Sequence, residues 1–396
     1  MDTYHLLSLI CKKMFKTNLL ILTIICLFYS VVNGKDDTEW LNEAIKSSIK
    51  SGSPLVLGKG KIYYIKGDIK KVLLRENQML NINGNGSTIV YSVDPNRQIS
   101  SPIDVESKLT KNTTLTIKNL TFDGSPNPIQ FSEKVYSNLR LAVGISSVGV
   151  TKVSLSSVKF KNIYGAGIRC LIFREFAASN VNFNRVGGKW PHGDGYDSFG
   201  DAIYLGYALD GASAEIKNCS IMGYSDYPNF GGFYKNLSRA GIVAEYNKKS
   251  HLKLSVTGTK IEGYQRAIHI EGSNTSLNLT SCTFDRYICG VFVFGYEAKD
   301  VYVSRCKFLK TYEGGKFGGA KGVITGYANN NQAFLKGCYV ESTTFYRENE
   351  MKSTYDRCTI SFDNFTAPSR SSTFKNCILR TSNKLNATFG RVISSK

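Results

Sequence analysis

Proline is scarce in this chain, 8 of 396 residues, so its turns rest on the 36 glycines and on Asn, Asp and Ser. Helical periodicity is nearly absent after residue 50, which excludes a bundle or a doubly wound α/β fold. No segment beyond the N-terminus is apolar enough to span a bilayer, so no transmembrane anchor is expected. Cysteines are not lacking, but Cys-x-x-Cys clips are, which argues against a zinc site. Acidic residues are the minority, 31 against 50 Lys and Arg, giving a formal charge of +19. The basic residues are spread rather than clustered, and no nucleic-acid-binding motif accompanies them. A diffuse positive surface suits an acidic polysaccharide better than a nucleic acid.

What is present is a phrase of alternating apolar residues, a polar residue, often Cys, and an apolar residue two places on. It reads Ile216-Lys-Asn218-Cys219-Ser-Ile221, Leu279-Thr-Ser281-Cys282-Thr-Phe284 and Val303-Ser-Arg305-Cys306-Lys-Phe308. It continues at Leu335–Val340, Tyr355–Ile360 and Phe374–Leu379, with Cys-free copies at Ile117–Phe122 and Leu155–Phe160. Alternation is the period of a strand, and its recurrence every few tens of residues predicts stacked rungs. Six Cys share one position of the phrase, and a buried ladder of small hydrophobic thiols is expected there.

The N-terminus reads as a targeting segment. Lys12, Lys13 and Lys16 precede the apolar run Leu19–Val32, and small Gly34 closes it, so 1–34 is read as a signal peptide and the protein as secreted. Thr38–Lys50 is amphipathic, with Trp40, Leu41, Ala44, Ile45 and Ile49 on one face. It predicts a capping helix within 35–75, followed by a β-helix over 76–382 and a tail at 383–396. Nine Asn-x-Ser/Thr sequons, at 85, 112, 119, 218, 236, 274, 278, 364 and 386, predict a glycoprotein in a eukaryotic host. Asn119 and Asn218 fall at the polar turn position of the phrase and read as structural.

The helix, the strand before Gly58-Lys-Gly-Lys-Ile-Tyr-Tyr-Ile65, the rung Leu80–Val90 and the repeats resemble the pectin-lyase-like superfamily. The resemblance covers essentially the whole mature chain and implies an all-β, right-handed parallel β-helix of about ten rungs. It says little about activity, because that fold hosts lyases, hydrolases, epimerases, phage tailspikes and adhesins. Phe199-Gly-Asp201-Ala-Ile-Tyr204-Leu-Gly206 resembles the Gly-Asp-Asp-x-Ile-x-Ile strand of polygalacturonase-type hydrolases, with Asp201 as the second Asp. Gly200 replaces the first, Arg239-Ala-Gly241 stands where that family has Gly-His-Gly, and its Arg-Ile-Lys signature has no match. An ordinary polygalacturonase is therefore not expected.

A second strand phrase opens on a small residue and an aliphatic, as in Gly167-Ile168, Ala202-Ile203, Gly241-Ile242, Ala267-Ile268, Gly290-Val291 and Gly322-Val323. Alternation places one outward column at Arg169, Tyr204, Val243, His269, Phe292 and Ile324. The next runs Leu171, Gly206, Glu245, Glu271, Phe294 and Gly326. Glu245 and Glu271 would then stand about 5 Å apart on adjacent rungs, the separation of a retaining glycosidase pair. His269, Tyr204 and Asp201 are further acid–base candidates.

Two insertions complete the candidate site. Gly187–Gly200 carries Trp190, His192, Asp194 and Asp197, and Tyr224–Arg239 carries Tyr234. Trp190, Tyr234, Phe292 and Phe294 could stack on sugar rings, and Arg169 and Arg239 could hold a uronate carboxylate. No cofactor is required, although Asp194 and Asp197 offer oxygen ligands to Ca2+. The expected function is action on an acidic polysaccharide, as hydrolase or lyase. The alternative is a non-catalytic glycan-binding or adhesin-like β-helix, whose partner is a polysaccharide or cell-surface glycan.

Overall fold

The computed structural model describes residues 35–66, 69–92, 99–108, 112–126, 141–188, 200–224, 238–247, 250–272, 274–295, 299–309, 322–326, 332–345, 352–365 and 373–381. Residues 1–34, read above as a signal peptide, the expected tail 383–396, and Trp190, His192, Asp194, Asp197 and Tyr234 lie outside these residues.

Every strand pairing among the described residues is parallel, and each strand pairs with others one rung away. The chain is a right-handed parallel β-helix, the hand that twisted strands and short crossovers favour. Three inward ladders fill it. One stacks Ile117, Leu155, Ala178, Ile216, Val256 and Leu279. A second stacks Phe122, Phe160 and Phe183, whose rings lie 5.2 and 4.9 Å apart, then Ile221, Ile261 and Phe284. The third stacks Ile145, Ile168, Ile203, Ile242, Ile268 and Val291. The small residue that opens the second phrase has a steric cause. A Cβ on Gly167 would stand 2.7 Å from the Phe183 ring, and one on Gly241 the same distance from Ile261.

The polar residue before the Cys is the corner between two of these faces. Asn119, Ser157, Asn180, Asn218, Ser281, Arg305, Arg357 and Asn376 all have φ between 52° and 54° there, while Gly258 and Gly337 take the same place. Asn and Gly reach this left-handed conformation at least cost, so the structural reading of Asn119 and Asn218 holds. Two further rungs of the phrase, Ala178–Phe183 and Val256–Ile261, are absent from the sequence reading; they carry Val181 and Thr259 where others carry Cys.

The Cys ladder is buried and unpaired by disulfides, except that Cys377 is half-buried. Its sulfurs are more than small hydrophobes. At three corners the backbone N–H that follows is received by the next rung's side chain: Cys282 N donates to Cys306 Sγ at 3.3 Å and Cys338 N to Cys358 Sγ at 3.4 Å. Thr259 does the same with oxygen, since Cys219 N donates to its Oγ1 at 3.3 Å. Each side chain in turn donates to the carbonyl two residues back, Cys306 to Ser304 and Thr259 to Thr257. A buried N–H needs an acceptor, and a thiol or hydroxyl supplies one without leaving the core.

The helix α1, Thr38–Ser51, ends at Gly52 with φ of 71°. It packs against strands Leu55–Val56, Val72–Leu74 and Met79–Tyr91. Leu41 and Ile45 are buried and Ala44 and Ile49 partly so. Trp40 departs from the expected face: it is 45% exposed and stacks on Tyr63 at 4.8 Å. Its ring covers the flank of the first rung instead of entering the core.

Candidate active site

Two outward columns cross the face that carries the third inward ladder. Strand pairing runs Asp104, Ser146, Arg169, Tyr204, Val243, His269, Phe292 in one. Leu171, Gly206, Glu245, Glu271 and Phe294 form the other. The expected register is thus correct as far as Phe294. At the next rung it slips by one residue: Val291 pairs with Ile324, Phe292 with Thr325 and Val293 with Gly326. Ile324 and Gly326 leave the predicted columns. Val323 and Ile324 are both buried, so the apolar pattern does not discriminate between the two registers.

The columns point away from the core ladder, yet they are largely covered. Val243 and His269 have no exposed surface, Phe292 and Glu245 are buried, and Asp201 and Arg239 are buried beside them. Burial makes pairing obligatory for charges. Arg239 Nη1 donates to both oxygens of Asp201 at 2.7 and 2.8 Å, and its Nη2 donates to Glu245 Oε1 at 3.1 Å. The other Glu245 oxygen accepts from the Tyr204 hydroxyl at 3.0 Å. Asp201 and Glu245, carried on neighbouring rungs, are therefore one network through Arg239.

This environment moves the protonation of its members. Burial pushes the Asp201 carboxyl up to about 6, with Arg239 opposing the rise and Glu245 adding to it. Burial disfavours the charged Arg239 guanidinium, but Asp201 and Glu245 outweigh it and hold Arg239 firmly protonated. Burial and then the Glu245 carboxylate push the Tyr204 phenol far up, keeping it a donor. Burial, then Arg266 and Arg239, hold His269 well below the usual imidazole range, so it is neutral.

His269 lies beside this network on the next rung, and its polar contacts are to residues of its own strand. Its Nδ1 meets Arg266 Nη1 at 3.3 Å, and its Nε2 lies 3.0 Å from Glu271 Oε2. The latter is a contact without a hydrogen bond, because the geometry on that nitrogen is poor. One acceptor or donor atom each from Glu245, His269 and Glu271 lie within 4.8 Å of one another. Arg266 covers the Phe292 ring at 4.6 Å, and Phe292 stacks on Phe294 at 6.2 Å. Glu271 is the accessible carboxylate, its side chain 37% exposed.

Among the other predicted residues, Arg169 is half-buried one rung before Tyr204, and burial lowers its pKa. Phe294 is exposed at the edge. The acidic-loop residues offered for Ca2+ are not among the described ones. Sequence reasoning missed Tyr207 and Tyr246, which stack at 5.1 Å and are each about half exposed beside the carboxylates. Their signal was available: each is the residue after the second-column position, following Gly206 and Glu245. Their φ values of 53° and 61° put them on the corner of the rung, a conformation rare for a bulky side chain.

No family model matches the chain, and no curated protein matches it in sequence. Among solved structures, a tailspike protein of Escherichia coli bacteriophage HK620 in complex with a pentasaccharide is 12% identical, with a TM-score of 0.46, covering 87% of this chain and 62% of that one. The Dettilon tailspike is 11% identical with a TM-score of 0.40, covering 88% and 65%. The A-module of an Azotobacter vinelandii mannuronan C-5 epimerase is 13% identical with a TM-score of 0.41, covering 87% and 95%. The chain spans less than two thirds of either tailspike. These likenesses carry no chemistry to this site, and the fold rests on the pairings described above.

Proposed function

We propose that this protein is a secreted glycoside hydrolase acting on a polysaccharide, with Glu245 and Glu271 as its carboxylate pair. The observation that carries the reading is their placement: they are strand partners on adjacent rungs, and an oxygen of each lies within 4.8 Å of the other. A spacing near 5 Å suits a retaining double displacement. Glu245, fixed by Arg239 and Tyr204, would attack the anomeric carbon. Glu271 would protonate the departing glycosidic oxygen and then take a proton from the water that releases the sugar. Tyr207, Tyr246 and Phe294 would carry neighbouring sugar rings. The +19 charge favours a polymer with acidic groups outside the cleavage point, and the basic, apolar and small N-terminal segments support export.

One observation favours a second reading, a non-catalytic glycan-binding β-helix. Both Glu245 oxygens and both Asp201 oxygens are already engaged within the protein. The test is incubation of the full chain with neutral and uronate polysaccharides. New reducing ends without new unsaturated ends support hydrolysis. Unsaturated ends would replace the hydrolase by a lyase, and binding without product would leave the glycan-binding reading.

A further inference from the structure

His269 has a forced tautomer. Arg266 Nη1 approaches its Nδ1 at 3.3 Å, and a guanidinium can only donate. Nδ1 is therefore the acceptor, and the ring proton of the neutral imidazole sits on Nε2. That N–H is completely buried and has no aligned acceptor, although Glu271 Oε2 is 3.0 Å away. It is a donor beside the Glu271 carboxylate, in a cluster where Glu245, His269 and Glu271 each bring a polar atom within 4.8 Å of the others. The charged groups around it are Glu245, Glu271, Arg239 and Arg266, with Asp201 behind Arg239.

An atom at ~2.8 Å from all three corners can stand over a triangle of this size. It must accept from His269 Nε2–H and donate to a carboxylate. A hydroxyl does both. A sugar carboxylate can accept, but it would bring a second negative charge against the Glu245 carboxylate and has no proton to donate to it. A metal ion would need the Nε2 lone pair, which the Arg266 contact assigns to a proton. We infer that His269 is a specificity-determining donor, and that the sugar between Glu245 and Glu271 is held there by a neutral hydroxyl rather than by a uronate carboxylate. This rests on the carbohydrate reading of the site and narrows it.

The experiment is imidazole proton–nitrogen correlation NMR on the full chain labelled with nitrogen-15, with His269→Gln identifying the signal. His269 is expected to show a protonated Nε2 and an unprotonated Nδ1. A protonated Nδ1 would overturn the proposal. Methyl glycosides of neutral hexoses and of hexuronic acids are then added singly. A neutral glycoside should shift the Nε2 resonance, and uronates should not. His269→Ala should weaken that glycoside's binding about tenfold, whereas His269→Gln, which keeps an N–H donor, should recover most of it. Added Zn2+ should leave Nε2 protonated; loss of that proton would make the cluster a metal site and sink the inference. If glycosides shift the Tyr207 and Tyr246 signals but never His269, the inference fails and the carbohydrate reading survives. If no glycoside shifts any signal, both fail.

Discussion

Arg239 reaches back 38 residues to clasp Asp201 with both carboxylate oxygens on one nitrogen, at 2.7 and 2.8 Å, inside a region closed to solvent. The pair joins consecutive rungs, because Asp201 is the strand partner of Ala240. Removing Arg239 leaves Asp201 buried without its counter-charge, whereas Arg239 would keep Glu245 if Asp201 were lost. Arg239→Met should therefore lower unfolding free energy by about 3–5 kcal/mol, measured by denaturant titration. The double variant Asp201→Asn with Arg239→Met should lose less than the sum of the single losses, since it strands one fewer charge. Additive losses would show that the two do not interact.

Glu271 should be separable from the fold. Its side chain is partly exposed and has no aligned bond to His269, so Glu271→Gln should leave the melting temperature nearly unchanged. Turnover measured as reducing ends should fall by about 10²–10⁴-fold. Glu245→Gln should reduce both activity and stability, because one of its two donors, Arg239 or Tyr204, would face an amide N–H. Full turnover in Glu271→Gln removes it as acid–base group.

The sulfur ladder makes a prediction that runs against simple hydrophobicity. Cys306→Val is more apolar and similar in volume, but it orphans the buried Cys282 N–H. It should cost about 1–3 kcal/mol, while Thr259→Cys, which keeps an acceptor for Cys219 N, should cost under about 1 kcal/mol. Chemical denaturation of the two variants decides the matter. A harmless Cys306→Val would return these cysteines to the role of plain core filling.

Acid sensitivity should come in part from Asp123. Burial alone would raise its pKa, but the Ser125 bonds and Lys161 prevail and hold it below 3.8. A depressed carboxylate stabilises the fold fully above its unfolded pKa of 3.8, and that contribution is lost as pH falls through the lower folded value. Asp201 acts in the opposite sense: raised to about 6, it favours the fold most below 3.8 and loses that contribution as pH rises through 6. Stability measured against pH should therefore show a shallower acid limb for Asp123→Asn. An unchanged limb would remove Asp123 as a contributor.

The stacked pair Tyr207 and Tyr246 is exposed and satisfies no core demand. Tyr246→Ala should keep the fold and weaken polysaccharide retention on affinity electrophoresis several-fold, in line with about 0.5–1.5 kcal/mol for an aromatic contact. Unaltered retention would place the glycan elsewhere on the surface.

Alternation and recurrence determined the β-helix, the inward ladders and the alignment of Tyr204 with His269 and of Glu245 with Glu271. These follow from local chemistry, since strand period and stacking distance do not depend on distant residues. The same signal broke down at 322–326, where two adjacent buried aliphatics made both registers equally apolar. Tertiary structure alone decided that the outward face is covered, because burial depends on what packs over a strand and not on the strand's own pattern. It alone placed Arg239 between Asp201 and Glu245, and Arg266 on the Nδ1 side of His269. Those contacts depend on how far long side chains reach along a strand and, for Arg239 and Asp201, across to the next rung, which strand period does not encode.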